Sequence, residues 1–443
     1  MDKLKELIEN NNLKEVKICL LEMNEHDIAS VLEELNEDDL IKIFRLLPKS
    51  MASDVFVNLD DQIQKELISL LTNKEATQII EDMFTDDAAD LFEEMPALMV
   101  QSLLSNVDKE TRNNINRLLK YPENSAGSLM AVEYIHLKKG LTIKESIARI
   151  RRQKEEFVSF DSCFVTDEQR HLLGRVSIKD LLINDPDTII DEIMEDCQHA
   201  ISTLMDQEEV AKYFQDYDYS TLPVVDLENR LVGIITIDDV VDILEEEATE
   251  DMEKMAAILP SEKSYDQTSV FETYKSRIPW LLLLMISATF TGKIIQNFED
   301  ELKAFTILTA FIPMLMDTGG NAGSQSSVSV IRALSLNDIE FKDLFKVIWK
   351  ETRVAILCAI TLAIGNFLKL LIVDRVKIMV ALTVCLTLVF TIIVAKIIGC
   401  TLPMIAKKLK LDPAVMASPF ITTIVDACSL LVYFYMAKLI LGI

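Results

Sequence analysis

Asp426 lies within the apolar run Ala414-Val-Met-Ala-Ser-Pro-Phe-Ile-Thr-Thr-Ile-Val-Asp-Ala-Cys-Ser-Leu-Leu-Val-Tyr-Phe-Tyr, with no cationic residue within helical reach to neutralise it. A carboxylate in the middle of a membrane-length segment costs about +2.5 to +3.5 kcal/mol on insertion scales, and such residues mark ion or substrate paths. Ser418, Thr422 and Asp426 are spaced i, i+4, i+8 and so line one helix face. Two hydroxyls and a carboxylate in a stripe offer oxygen ligands, the set that a hard cation takes. A second apolar segment carries Asp317, Asn321 and Gln325 among glycines and hydroxyls: Pro313-Met-Leu-Met-Asp317-Thr-Gly-Gly-Asn321-Ala-Gly-Ser-Gln325-Ser-Ser. Polar groups at membrane depth are tolerated only where protein buries them or water lines them, so this segment is expected to border a wet cavity. Its glycines alone would serve close helix contact equally well.

These residues sit in a chain made of two electrically different parts. From Met1 to Ser276 there are 60 Asp and Glu against 28 Lys and Arg, a net of −32; from Arg277 onward there are 11 against 16, a net of +5. The acidic excess excludes a nucleic-acid partner, which needs Lys and Arg footprints on phosphate. It favours cations, or simply keeps the domain soluble. The seven cysteines and four histidines are scattered, so neither a disulfide frame nor a zinc or copper centre is indicated. The start, Met-Asp-Lys-Leu-Lys-Glu-Leu, has no apolar run and reads as no signal peptide.

The first part repeats at an offset of about 48 residues: Asp38-Asp39 recurs as Asp86-Asp87, Phe44 as Phe92, Leu47-Pro48 as Met95-Pro96, and Asp60 as Asp108. That period implies a short helical superhelix, with one acid of each Asp pair as a helix N-cap. A second repeat follows at an offset of 59, in which Gly174-Arg-Val-Ser177-Ile-Lys-Asp180 lies in phase with Gly233-Ile-Ile-Thr236-Ile-Asp-Asp239. Short β-rich runs alternate there with helical stretches, so two tandem α/β units are expected. They resemble a pair of CBS domains. The resemblance implies an adenine nucleotide such as ATP, with Thr236 and Asp239 the better candidates for its ribose and Ser177 with Asp180 the weaker; without a ligand, each pair would serve as strand end and helix cap. A polar, acid-rich stretch from Val241 to Glu272 is read as helical until Pro260 and joins this part to the apolar one.

Five apolar segments then follow, about 278–295, 304–334, 354–373, 378–403 and 414–442. Each is long enough to cross about 30 Å of hydrocarbon. Lys275 and Arg277, then Arg332 to Arg353, then Lys407, Lys408 and Lys410 fall in alternate loops. The positive-inside rule makes that side cytoplasmic, so the acidic part is expected in the cytoplasm and the C-terminus outside. In the last segment Pro419 is expected to free a carbonyl near Val415 and loosen the helix below Asp426.

The whole chain resembles the MgtE family of magnesium channels or transporters. The resemblance rests on Pro279-Trp280, on Gly319-Gly-Asn-Ala-Gly-Ser-Gln325-Ser, on Ser418-Pro419 with Asp426, on Leu222-Pro-Val-Val-Asp226 and on Glu247-Ala-Thr-Glu250-Asp251. It implies an all-α superhelix (1–125), CBS domains (126–190 and 191–248), a connecting plug helix (249–276) and five transmembrane helices (277–443). It also implies a plasma-membrane homodimer importing Mg²⁺, with Asp426 and the matching aspartate of a second subunit holding a hydrated ion. Asp87, Asp90, Asp218, Asp239, Asp242, Glu247, Glu250 and Asp251 would bind the intracellular Mg²⁺ that closes the pore. The chain departs from the family at Ser418, where relatives often carry Asn, and at Ser429, where they carry Gly.

Two other readings are open to the same residues. A broader divalent-cation transporter, or one gated by nucleotide, needs no different architecture. Asp317-Thr318-Gly319 spells the aspartic protease triplet, with Asp426 as a second acid. However, soluble aspartic proteases carry it in β-rich domains and intramembrane ones need other glycines before the acid, so no enzyme is expected.

Overall fold

The computed structural model describes residues 4, 7–8, 12–93, 95–152, 157–261, 265, 268–416 and 418–442. The chain divides into two units, Met1–Glu245 and Glu246–Ile443.

The first unit opens with short helices: α1 (Leu13–Leu20), α2 (Glu25–Leu32), α3 (Glu37–Phe44), α4 (Lys49–Val57), α5 (Asp61–Leu70), α6 (Asn73–Asp82), α7 (Thr85–Glu93), α8 (Ala97–Asn106) and α9 (Lys109–Leu118). Helix starts at 25, 49, 73 and 97, and again at 37, 61, 85 and 109, show that the structural unit is a 24-residue helix pair. The 48-residue signal in the sequence is two such pairs. It arises because the caps alternate: Asn24 and Thr72 accept backbone N–H groups through their side chains, whereas Pro48 and Pro96 end the preceding turn. The expected capping by the Asp pairs is not what forms: Asn36 caps α3, and Asp86 and Asp87 lie inside the first turn of α7, where the helix dipole favours acids. Asp60 and Asp108 do cap their helices. One apolar face per helix, from Val16 and Leu20 to Ile115, builds a continuous core.

Two three-stranded sheets follow, each with a parallel and an antiparallel pairing. The first joins β1 (His136–Lys138), β2 (Ser162–Thr166) and β3 (Leu172–Ser177), flanked by α10 (Ile143–Arg152) and α11 (Ile178–Ile183). The second joins β4 (Ile201–Ser202), β5 (Thr221–Val225) and β6 (Leu231–Thr236), with α12 (Gln207–Tyr217) beside it. Ser162 pairs with Ser177, and Thr221 with Thr236, so the 59-residue repeat is also a repeat of register. At Gly233 a Cβ would meet Met130 Sδ at 2.6 Å and the Ala131 carbonyl at 2.8 Å, which fixes glycine in that signature. Helix α13 (Ile237–Met255) starts directly from β6 and stops short of Pro260, with Ala257 at positive φ.

The second unit contains α14 (Val270–Asn297), the short α15 (Glu299–Ala304), α16 (Ile312–Ser335), α17 (Leu344–Ile372), α18 (Ile378–Lys408) and α19 (Ser418–Leu441). Helix α14 begins at Val270, inside the stretch read as connector. Among the described residues, four helices are long and apolar enough to cross a membrane, α14, α17, α18 and α19. The polar side chains of α16 keep it out of that group.

Helix α16 is continuous, with Pro313 in its first turn, where no backbone N–H is needed. Its glycines serve close contact: a Cβ on Gly320 would meet Thr422 Cγ2 at 2.9 Å, and one on Gly399 of α18 would run into the Gly323 carbonyl. Helix backbones therefore touch where these small residues cross. Pro419 likewise sits in the first turn of α19 and starts that helix instead of loosening it, because Ala414–Met416 form a separate 3-10 turn.

Candidate functional site

In the second unit, Asp317, Asn321 and Gln325 recur every fourth residue along α16 and are all exposed. On α19, Thr422 packs over Gly320, and Asp426 is half-buried with its Oδ1 enclosed and without a hydrogen-bond partner. The charges of Asp317 and Asp426 are near enough to act on each other. Two helices thus place an open polar stripe beside an unsatisfied carboxylate oxygen. The side chain of Ser418, the third member of the α19 stripe, lies outside the described residues. Ser429 is buried and its hydroxyl donates to the Val425 carbonyl at 2.7 Å, so this departure is absorbed within its own helix.

In the first unit, acids converge where the first turn of α7 meets the start of α13. Asp86 is 7% exposed, and its Oδ1 has no hydrogen-bond partner. Burial, then the charges of Asp87, Asp239, Glu133 and Asp90, push its carboxyl well above the usual range. Burial and the neighbouring Asp239 and Glu133 push Asp87 up to about 7. Asp239 is pushed up to about 6, chiefly by burial, although the Thr236 hydroxyl donating to it at 2.7 Å pulls the other way. Glu133 accepts from the Thr85 hydroxyl and from Val132 N–H, and so ties the loop before β1 to α7. Acids held this close prefer a proton or a cation between them. Among the described residues, no three acidic, His or Cys side chains close to direct metal-ligand geometry.

Sequence reasoning placed Asp87, Asp90 and Asp239 in this region but missed Asp86 and Glu133. Asp86 was visible as half of the repeated pair; Glu133 stands in a loop with nothing to single it out. Asp242 is exposed on α13, its carboxyl pushed up mainly by partial burial and then by Glu245 and Asp238. Asp218 ends α12 in the left-handed region at φ 52°.

Of the connector acids, Glu250 and Asp251 belong to a network within the second unit. Lys254 Nζ is 2.6 Å from Glu250 Oε1 and 2.7 Å from Asp412 Oδ2, which lies between α18 and α19. Burial first, then Asp412, raises the Asp251 carboxyl above its usual range. Glu247 stands one turn earlier on α13. Lys254 and Asp412 were not anticipated, and neither was the ion pair of Glu351 on α17 with Lys396 on α18, two charges inside apolar helices.

The two nucleotide candidates have different surroundings. In both, the hydroxyl donates to the aspartate three residues on, Ser177 to Asp180 at 2.6 Å and Thr236 to Asp239 at 2.7 Å. Ser177 also caps α11. Arg175, two residues before Ser177, lies over the Tyr219 ring at 5.2 Å, and His199 stacks on Tyr217 at 4.0 Å and bonds Tyr219 Oη at 3.0 Å. Asp239 instead faces the acids of α7.

Family models match three stretches: an MgtE intracellular N domain over residues 23–124, a CBS domain over 190–246, and an MgtE divalent cation transporter domain over 312–436. The magnesium transporter MgtE of Thermus thermophilus is 34% identical over 445 residues, covering 99% of this chain and 98% of the relative. The chain belongs to the MgtE family. The magnesium transporter MgtE of Bacillus subtilis is 31% identical over 435 residues, covering 97% of this chain and 95% of its own. Among solved structures, the cytosolic domain of the Mg²⁺ channel MgtE in complex with ATP matches 54% of this chain and 98% of its own at 34% identity, with a TM-score of 0.52. The soluble part of a magnesium transporter matches 56% of this chain and 97% of its own at 26% identity and a TM-score of 0.53. The MgtE transporter stretch contains the α16 stripe, Thr422 and Asp426, and the MgtE N stretch contains the acids of α7. Glu247, Glu250, Asp251, Ser177 and Asp180 fall outside all three.

Proposed function

We propose that this chain is a Mg²⁺ transporter of the plasma membrane, working as a homodimer whose ion path runs along α16 and α19. One observation carries the reading: Asp317, Asn321 and Gln325 are exposed on a helix whose other face is buried against apolar neighbours, beside an Asp426 oxygen that has no partner. Lipid cannot satisfy such a stripe; water and a second copy of the same stripe can. Five helices then cross the membrane, α16 being the polar one, with the acidic unit in the cytoplasm and the C-terminus outside. Two Asp426 carboxylates from the two subunits hold a hydrated dication between them, with Thr422 and Ser418 toward the cytoplasmic end.

Closure follows from the acid clusters. At low internal Mg²⁺, Asp86, Asp87, Asp90 and Asp239 repel and loosen α7 from α13; Mg²⁺ neutralises them and docks the two. Asp218 at the end of α12 joins the same sensing, and Asp242, Glu247, Glu250 and Asp251 extend it along α13 as a plug, with borders at 125, 190, 248 and 276. The relative named as an ATP complex supports an adenine nucleotide here too. Ser177 and Asp180, beside Arg175 and Tyr219, are the favoured seat, because a triphosphate at Asp239 would meet four further acids.

The test is Mg²⁺ uptake into proteoliposomes at varied internal Mg²⁺, wild type against Asp426→Ala. Loss of uptake in the variant and closure of the wild type by internal Mg²⁺ are expected. Unchanged uptake by Asp426→Ala rejects the path, and flux indifferent to internal Mg²⁺ rejects the sensor. Uptake of Co²⁺ or Mn²⁺ equal to that of Mg²⁺ favours the broader divalent reading.

A further inference from the structure

Lys396 and Glu351 are two charges inside apolar helices that the ion path leaves unused. Lys396 is 5% exposed on α18, twelve residues before Lys408 and so about 18 Å from that end by helical rise. Its Nζ donates to Ser326 Oγ of α16 at 3.3 Å and lies 3.8 Å from Glu351 Oε2 of α17. Ser326 in turn donates to the same Glu351 oxygen at 2.5 Å. Three helices thus meet through one relay, ammonium to hydroxyl to carboxylate.

The location is set by the glycine crossing. Gly323 and Gly399 bring α16 and α18 into backbone contact. Ser326 and Lys396 are each three residues from that contact, on facing sides. Ser326 also adjoins Gln325, so the paired charges stand one helix wall, about 10 Å, behind the exposed stripe. A lone lysine there would oppose any dication passing on the other side, through a medium that screens poorly.

We propose that Glu351 and Lys396 form a neutral intramembrane pair, seated on Ser326, that positions α16 and cancels a positive charge behind the cation path. The pair touches no ion; it acts through α16 and through its own field. This inference rests on the path proposed above.

The experiment is a double-mutant cycle on full-length protein in proteoliposomes, with Mg²⁺ as the probe: Glu351→Gln, Lys396→Met and the double variant, with Asp426→Ala alongside. Glu351→Gln leaves the lysine uncancelled and raises the half-saturating Mg²⁺ concentration by about tenfold. Lys396→Met leaves the carboxylate and shifts it the other way, and the double variant returns to within about twofold of wild type. A purely packing role moves both single variants in the same direction, and that result overturns the proposal. If a single variant does not assemble, recovery of assembled protein in the double supports the pair and its absence overturns it. Wild-type uptake by Asp426→Ala rejects the path whatever the cycle shows, while loss of uptake there with a flat cycle rejects the pair alone.

Discussion

Replacing Asp87 with Asn removes one of the charges crowded between α7 and α13. Its carboxyl is pushed up to about 7 from an ordinary 3.8, and Asp239 up to about 6, with Asp86 raised as well. A raised carboxyl binds its proton more tightly in the folded chain than in the unfolded one, so stability falls as pH rises from about 4 to about 7 and is lowest above that. For Asp87 the shift is about 3 pH units, a ceiling of about 4 kcal/mol. Partial solvation and sharing with Asp86 and Asp239 reduce this to about 2 kcal/mol. Asp87→Asn should therefore melt about 4 to 8 °C higher than wild type at pH 8 without divalent cation. At pH 5 the gap should be smaller, because the loss accumulates from about pH 4 upward. Millimolar Mg²⁺ should raise the wild type and raise the variant less, because it neutralises a charge that the variant lacks. Melting followed by fluorescence at both pH values, with and without Mg²⁺, measures all three. A variant that melts at or below wild type at pH 8, with an unchanged Mg²⁺ increment, refutes the idea that these acids repel.

Gly323→Ala places a methyl 2.9 Å from Ile421 Cγ2 and 3.2 Å from the Ala395 carbonyl, so a loss of about 1 to 3 kcal/mol is expected, read as a lower yield of assembled protein in detergent. Lys254→Met strips Glu250 and Asp412 of their shared cation; uptake at low internal Mg²⁺ should rise while millimolar Mg²⁺ still closes the path, and unchanged uptake at every Mg²⁺ concentration refutes that role. Asp180→Ala should weaken ATP binding by about tenfold in calorimetry, the effect of a lost hydrogen bond to a charged group, whereas Thr236→Ala should leave it within about twofold.

Both repeats could be read from the residues, whereas the strand register that the second repeats is a finding of the structure. The stripe of Asp317, Asn321 and Gln325 could be read as well, because i, i+4 spacing is local. Whatever depended on neighbours distant in sequence was not legible. Asp38-Asp39 and Asp86-Asp87 are the same dipeptide in the same place of the repeat, yet Asp39 is satisfied by Lys42 at 3.1 Å while its counterpart Asp87 faces Asp239 and Glu133 from elsewhere in the chain. Pro419 differs from expectation for a simpler reason: a shift of a few residues in the helix start turns a breaker into a first-turn residue. Lys396 was legible as a charge in an apolar run, but only its contact with Ser326 shows why the helix accepts it.

The contact of Gly323 with Gly399 has a mechanical consequence. It lies 21 residues from Ile378 and nine from Lys408, so it divides α18 into arms of about 32 and 14 Å. Where two packed helices touch backbone to backbone, with no side chain interposed, their closest approach is the natural pivot. Rocking α18 there by 1 Å at the Lys408 end carries the Ile378 end about 2.3 Å the other way, in the ratio of the arms. A small force delivered at the charged end of the bundle would thus arrive at the far side of the membrane as a larger displacement.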